Sequence, residues 1–178
     1  MTKKFNRALL DIRVPGTENF RLYEFIDPTS LMKWGQYAQR LIDPDIINFA
    51  IDLRNFLDSG VKINNYALDQ NIEYNEETGF YEYDKNLYGL RGFRPMDCPI
   101  GAKFSYHKLG GALDLEAEDL SSVELFQMII RLKATRAFKG ISRIENIERP
   151  DKTVRSWNHV DRGIIDGMLD NQIMVFNP

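Results

Sequence analysis

Apolar side chains recur at two different periods along this chain, and the switches between them mark out its elements. Ile46, Phe49, Ala50, Leu53 and Leu57 follow the i, i+3, i+4, i+7 spacing of a helix with one buried stripe. Asp43 followed by Pro44 is a favoured cap and first-turn pair. The helix is therefore expected to open there, with Gly60 as its stop. A helix before it is expected from about Ser30 to Leu41, capped by Thr29. Ser121-Ser122-Val123-Glu124 spells a capping box and opens a further helix to about Ala137. Its Leu125, Phe126, Ile129, Ile130 and Leu132 form a wide apolar face suited to lying across a sheet.

The period of two appears elsewhere. Val61–Tyr66 reads as a strand, and Ala112-Leu113-Asp114-Leu115 as a short one. In the latter, Leu113 and Leu115 face one side and Asp114 the other. Ile141–Ile147 and Val154–Asp161 are expected to pair as strands across the polar turn at Pro150-Asp151. Trp157, His159 and Asp161 then share one face. Gln172–Phe176 reads as a last short strand. Within residues 66–88, Ile72-Glu73-Tyr74 and Phe80-Tyr81-Glu82-Tyr83 flank a polar turn ending in Gly79, a hairpin signature. Residues 1–28 read as an extended arm with a turn at Pro15-Gly16, docked by Phe20, Leu22, Tyr23 and Phe25. The order of elements predicts an α+β fold, an antiparallel sheet covered by helices on one side. The 178 residues suit a single domain.

Charge adds a restriction. The net charge of −3 argues against general attraction to nucleic acid, which needs a clustered basic surface. Cys98, the only cysteine, cannot form an intramolecular disulfide. Lys3, Lys4, Arg7, Asp11 and Arg13 interrupt the first residues, so no signal peptide is expected. No apolar run approaches the ~20 residues of a membrane span. The expectation is a protein made in the cytoplasm.

The candidate chemistry rests on scarce residues. The chain holds two histidines, His107 and His159. Imidazole and carboxylate are common zinc ligands, and three protein ligands with one open position make a catalytic site. His107, Asp114 and His159 supply such a set if the fold brings residue 159 back to residues 107 and 114. Gly110 and Gly111 allow the sharp turn between the first two.

Ser105, His107, Gly110, Ala112 and Asp114 spell S-x-H-x-x-G-x-A-x-D, and Trp157, His159 and Asp161 spell W-x-H-x-D about 45 residues later. This two-part pattern resembles the zinc D-alanyl-D-alanine carboxypeptidase family of bacterial and phage peptidoglycan peptidases, which shares its fold with the hedgehog signalling domain. Asn19–Phe25 resembles the opening of its smaller members, Gly89–Arg94 its arginine turn, and Ile141–Glu145 the strand before the second histidine. The resemblance implies a hedgehog/DD-peptidase-like fold with residues 66–88 as an inserted hairpin. It implies a zinc peptidase with His107, Asp114 and His159 as metal ligands. Arg91 or Arg94 then grips substrate. Peptidoglycan peptide is the implied partner, reached at the cell wall by lysis or other delivery.

One part of the pattern differs. Relatives carry a glutamate three residues before the last histidine, or a histidine two before it; here stand Ser156 and Trp157. A peptidase needs a carboxylate to take the proton of the attacking water and pass it to the leaving amine. Glu145 is the substitute, with Glu148 next. The alternative reading is a virion or assembly component that keeps the fold and metal and docks phage proteins through the 66–88 hairpin. A binding module on the same fold is a third reading.

Overall fold

The computed structural model describes residues 3–135 and 138–177. It is α+β, and its chain packs into two compact units. The first takes in the chain up to Ile42 together with Ile63–Gly110, and the second Asp43–Lys62 with the chain from Gly111 onward.

In the first unit, helix α1 spans Pro28–Trp34 and tightens into a 3₁₀ stretch over Gly35–Leu41. Its cap is Asp27, which accepts from Ser30 N at 2.9 Å, and not the expected Thr29. An Asp-Pro pair opens this helix as another opens α2. The Thr29 hydroxyl instead accepts from Tyr81 N at 2.9 Å. Phe20, Leu22 and Phe25 are buried, so the arm docks as expected, but through 3₁₀ turns at Arg7–Asp11 and Leu22–Glu24. The later hairpin is present, and its short strands pair antiparallel in a two-stranded sheet, Glu73 opposite Glu82 and Tyr74 opposite Tyr81.

In the second unit, helix α2 (Pro44–Leu57) is capped by Asp43, whose Oδ1 accepts from Asp45 N at 2.9 Å. Ile46, Phe49, Ala50 and Leu53 are buried as the stripe requires. The helix ends before Gly60: Asp58 takes the left-handed C-cap conformation at φ 49°. Helix α3 (Ser122–Ala134) opens on the expected capping box. The Ala137 end expected for it lies outside the described residues.

The sheet of this unit has five strands. In chain order they are β1 (Val61–Lys62), β2 (Ala112–Ala117), β3 (Arg143–Glu145), β4 (Asn158–Asp161) and β5 (Met174–Phe176). Across the sheet the order is β1-β2-β4-β3-β5. The first three pairings are antiparallel, but β3 and β5 run parallel. The sheet is therefore mixed, a correction to the antiparallel expectation. Parallel pairing needs a long return connection, here residues 162–173. The strand expected over Val61–Tyr66 pairs at only two residues. Asn64 already turns away, its side-chain amide donating to the carbonyls of Tyr23 and Ile26.

Alternation gives this sheet two unlike faces. Leu113, Leu115, Ile144 and Val160 are fully buried on one, each worth about 1.5–3 kcal/mol on burial. Asn158 shares that face and donates its amide to the Ser122 carbonyl at 3.0 Å, which puts the start of α3 there. The opposite face carries Asp114, Arg143, Glu145, His159, Asp161 and Phe176, because residues directly opposed in adjacent strands share a face.

Candidate metal centre

In the β2–β4 ladder, Asp114 stands opposite His159 and Leu113 opposite Val160. A one-residue slip would exchange the leucine row and the charged row between the two faces. The register therefore brings Asp114 and His159 together, Oδ1 to Nδ1 at 2.6 Å. The other ring nitrogen, Nε2, lies 3.3 Å from Asp161 Oδ2. Asp161 is 1% exposed. Arg143 grips it with a two-pronged fork, Nε to Oδ1 and Nη2 to Oδ2, both 2.7 Å. The Gly163 amide adds a third donor at 2.7 Å.

The electrostatics follow. Burial alone would lower the His159 imidazole, but its hydrogen bonds to Asp114 and Asp161, with the charges of both, lift it to about 9. Burial would raise the Asp161 carboxyl. Hydrogen bonds from His159, Arg143 and Gly163 outweigh that and hold it below its ordinary value.

His107 belongs to the first unit. It sits in a 3₁₀ turn, Tyr106–Leu109, and is 2% exposed. Its Nδ1 donates to the Gly92 carbonyl at 2.8 Å, and its own carbonyl accepts from Arg94 N at 3.1 Å. With the proton on Nδ1, the neutral ring carries its lone pair on Nε2. A metal-ligating histidine commonly engages its second nitrogen with a carbonyl or carboxylate in this way. Gly110 closes the turn at φ +72°, and a Cβ there would overlap the Leu41 carbonyl oxygen.

The arginines of the same unit are held by their own loop. Arg91 is buried, stacks over the Tyr88 ring at 3.6 Å and donates its backbone amide to Asn64 Oδ1. Arg94 donates Nε to the Leu90 carbonyl at 2.6 Å. Lys108 buries its ammonium against the Cys98 carbonyl at 2.7 Å.

Glu145 lies on the face that carries His159. Its carboxylate makes an ion pair with Arg155, both side chains nearly buried. Glu148 is more exposed and pairs with Lys152 at 3.0 Å. Three features of this face escape a reading of the sequence: Arg143, Arg155 and the partnership of Asp161 with His159. A signal exists for the last, because W-x-H-x-D puts His159 and Asp161 on one face. Nothing local announces the two arginines, whose partners lie 10 and 18 residues away.

Compared with known proteins, the chain matches no family model, no curated protein and no solved structure. Among the described residues, no helix is long and apolar enough to cross a membrane.

Proposed function

We propose that the chain is a zinc-dependent peptidase acting on peptidoglycan peptides, on a hedgehog/DD-peptidase-like fold with the hairpin as an insertion. His107, Asp114 and His159 supply two imidazoles and a carboxylate, donor types that zinc takes. The observation that carries the reading is the treatment of the two rings. His107 gives Nδ1 to a carbonyl, and His159 turns Nε2 to a carboxylate while Nδ1 faces Asp114. That is the outer-shell pattern of metal-ligating histidines.

When bound, zinc polarises a peptide carbonyl and activates water. The remaining work falls to this chain's own groups. Glu145 takes the proton of the attacking water and returns it to the leaving amine. Arg91 or Arg94 grips a substrate carboxylate through a charge-assisted fork. The protein acts at the cell wall, delivered by lysis or as part of a virion.

Zinc analysis of purified protein, with muropeptide release from purified sacculi, tests the reading. One zinc per chain and released muropeptides are expected. A second reading has its own observation. Arg155 occupies the Glu145 carboxylate, as it would in a virion or assembly component that keeps fold and metal without hydrolysis and docks phage proteins through the hairpin. Zinc-loaded protein inactive on several peptidoglycan types selects that reading.

A further inference from the structure

We infer that Arg143 is a positioning residue for the metal ligand His159, acting through Asp161; this rests on the metal-site reading above. An imidazole on a strand can rotate about its Cα–Cβ and Cβ–Cγ bonds, and either nitrogen can ligate a metal. Something must choose. Asp161, two residues along β4 on the same face, lies with Oδ2 3.3 Å from Nε2 of His159. That carboxylate could itself swing, but three donors fix it. The Arg143 fork holds both oxygens at 2.7 Å, and the Gly163 amide holds Oδ1 at 2.7 Å.

The fork is fixed in its turn. Arg143 faces Asp161 directly across the β3–β4 ladder, and its guanidinium lies 4.7 Å from the centre of the Phe176 ring on β5. The same ring meets the His159 imidazole edge-on, centroids 6.0 Å apart. Phe176 therefore packs on both ends of the chain Arg143–Asp161–His159. The consequence is directional. Nε2–H is committed to Asp161, and Nδ1, which faces Asp114, is the nitrogen through which His159 would hold a metal. A planar fork suits this task better than a lysine ammonium, which would bind the carboxylate through one point and leave it free to turn.

Zinc affinity, measured by competition with a chromogenic chelator, tests the inference on the full chain. Wild type, Arg143→Ala, Arg143→Lys and an exposed control, Lys62→Ala, are compared at one pH. Loss of a ligand's direct outer-shell partner costs about 10–100-fold in metal affinity, so Arg143→Ala, which loosens that partner without removing it, should bind zinc more weakly by about tenfold, the lower end of that range. Arg143→Lys should recover part of the loss, and Lys62→Ala should match wild type. A ¹⁵N spectrum of the zinc-loaded protein reads the ring directly. Wild type should show Nδ1 on the metal and the proton on Nε2, and Arg143→Ala a mixed pattern. Folded Arg143→Ala with wild-type affinity and ring pattern overturns the inference. If that variant does not fold, Arg143→Lys decides alone, and wild-type behaviour in it overturns the inference. Wild type that takes up no zinc removes the metal reading itself, and this inference with it.

Discussion

Asp114 and His159 occupy directly opposed positions on β2 and β4, with Oδ1 and Nδ1 2.6 Å apart. In metal-free protein this pair, with Asp161, lifts the imidazole from 6.5 to about 9. A histidine whose folded value is raised stabilises the fold fully below its unfolded value and loses that contribution as pH rises through the folded one. In chelator-treated protein the contribution of this histidine should therefore be full below about pH 6.5 and decline toward pH 9, by about 3 kcal/mol. Urea unfolding at pH 6, 8 and 10 measures it. Asp114→Asn should flatten the profile; a flat wild-type profile would refute the pairing.

Glu145 is the test of catalysis. Glu145→Gln keeps a hydrogen-bonding oxygen toward Arg155 but cannot accept a proton. It should keep its zinc and fold while muropeptide release falls by about 10²–10⁴-fold. Equal release by variant and wild type would pass the role to Glu148.

The arginine loop makes a different forecast. Arg91→Ala or Arg94→Ala should leave zinc content unchanged and weaken turnover, by roughly the 1.5–3 kcal/mol of a charged hydrogen bond. Arg91→Ala should also lower the melting temperature, since it removes the stack on Tyr88. Two variants that work at wild-type rates would end the substrate-grip proposal.

Gly110→Ala should destabilise the protein strongly. The position has φ +72°, and the new Cβ would overlap the Leu41 carbonyl oxygen, a backbone atom that cannot step aside. A loss of more than about 2 kcal/mol is expected, because strain and overlap add. Thermal unfolding beside Gly16→Ala, which has open space around it, separates the overlap from the dihedral cost.

Asp27 offers a second pH test, with the same sign in a lower window. It caps α1 through Oδ1, while Oδ2 is buried with no hydrogen-bond partner among the described residues. Burial raises its carboxyl to about 6. The unfolded chain ionises first, near 3.8, so wild type should lose stability as pH rises from about 4 to 6. Asp27→Asn keeps a capping oxygen and avoids the buried charge. It should lack that decline and gain up to about 3 kcal/mol above pH 6. Denaturant midpoints at pH 4 and 7 for both proteins decide it.

The residues that could be read from sequence are those whose partners are near in the chain. Asp43-Pro44 and the Ser121 box set their helices, because a cap acts on amides two or three residues on. Asp114 and His159 were legible as a pair because alternation puts each on a definite face. The same local logic applied to Asp27-Pro28 would have found the α1 cap. Gly60 misled because Asp58, with a short polar side chain, reaches the left-handed conformation first. The parallel partner of β3 could not be read, since nothing in Met174–Phe176 states the direction of its neighbour. Nor could the claims of Arg143 on Asp161 and Arg155 on Glu145, which exist only once the strands have aligned.

The spacing of those strands also sets an order of assembly. Arg143 and Asp161 close a loop of 18 residues, whereas Asp114 and His159 close one of 45. Loop closure makes the second costlier by about 0.8 kcal/mol in chain entropy, so the β3–β4 hairpin should form before β2 docks on it. The anchored half of the site, Arg143 on Asp161, is then in place when Asp114 arrives to meet a histidine whose ring is already turned. Pulse-labelled hydrogen exchange reads the sequence of events: the amides bridging β3 and β4 should gain protection before those bridging β2 and β4, and the reverse order would refute it.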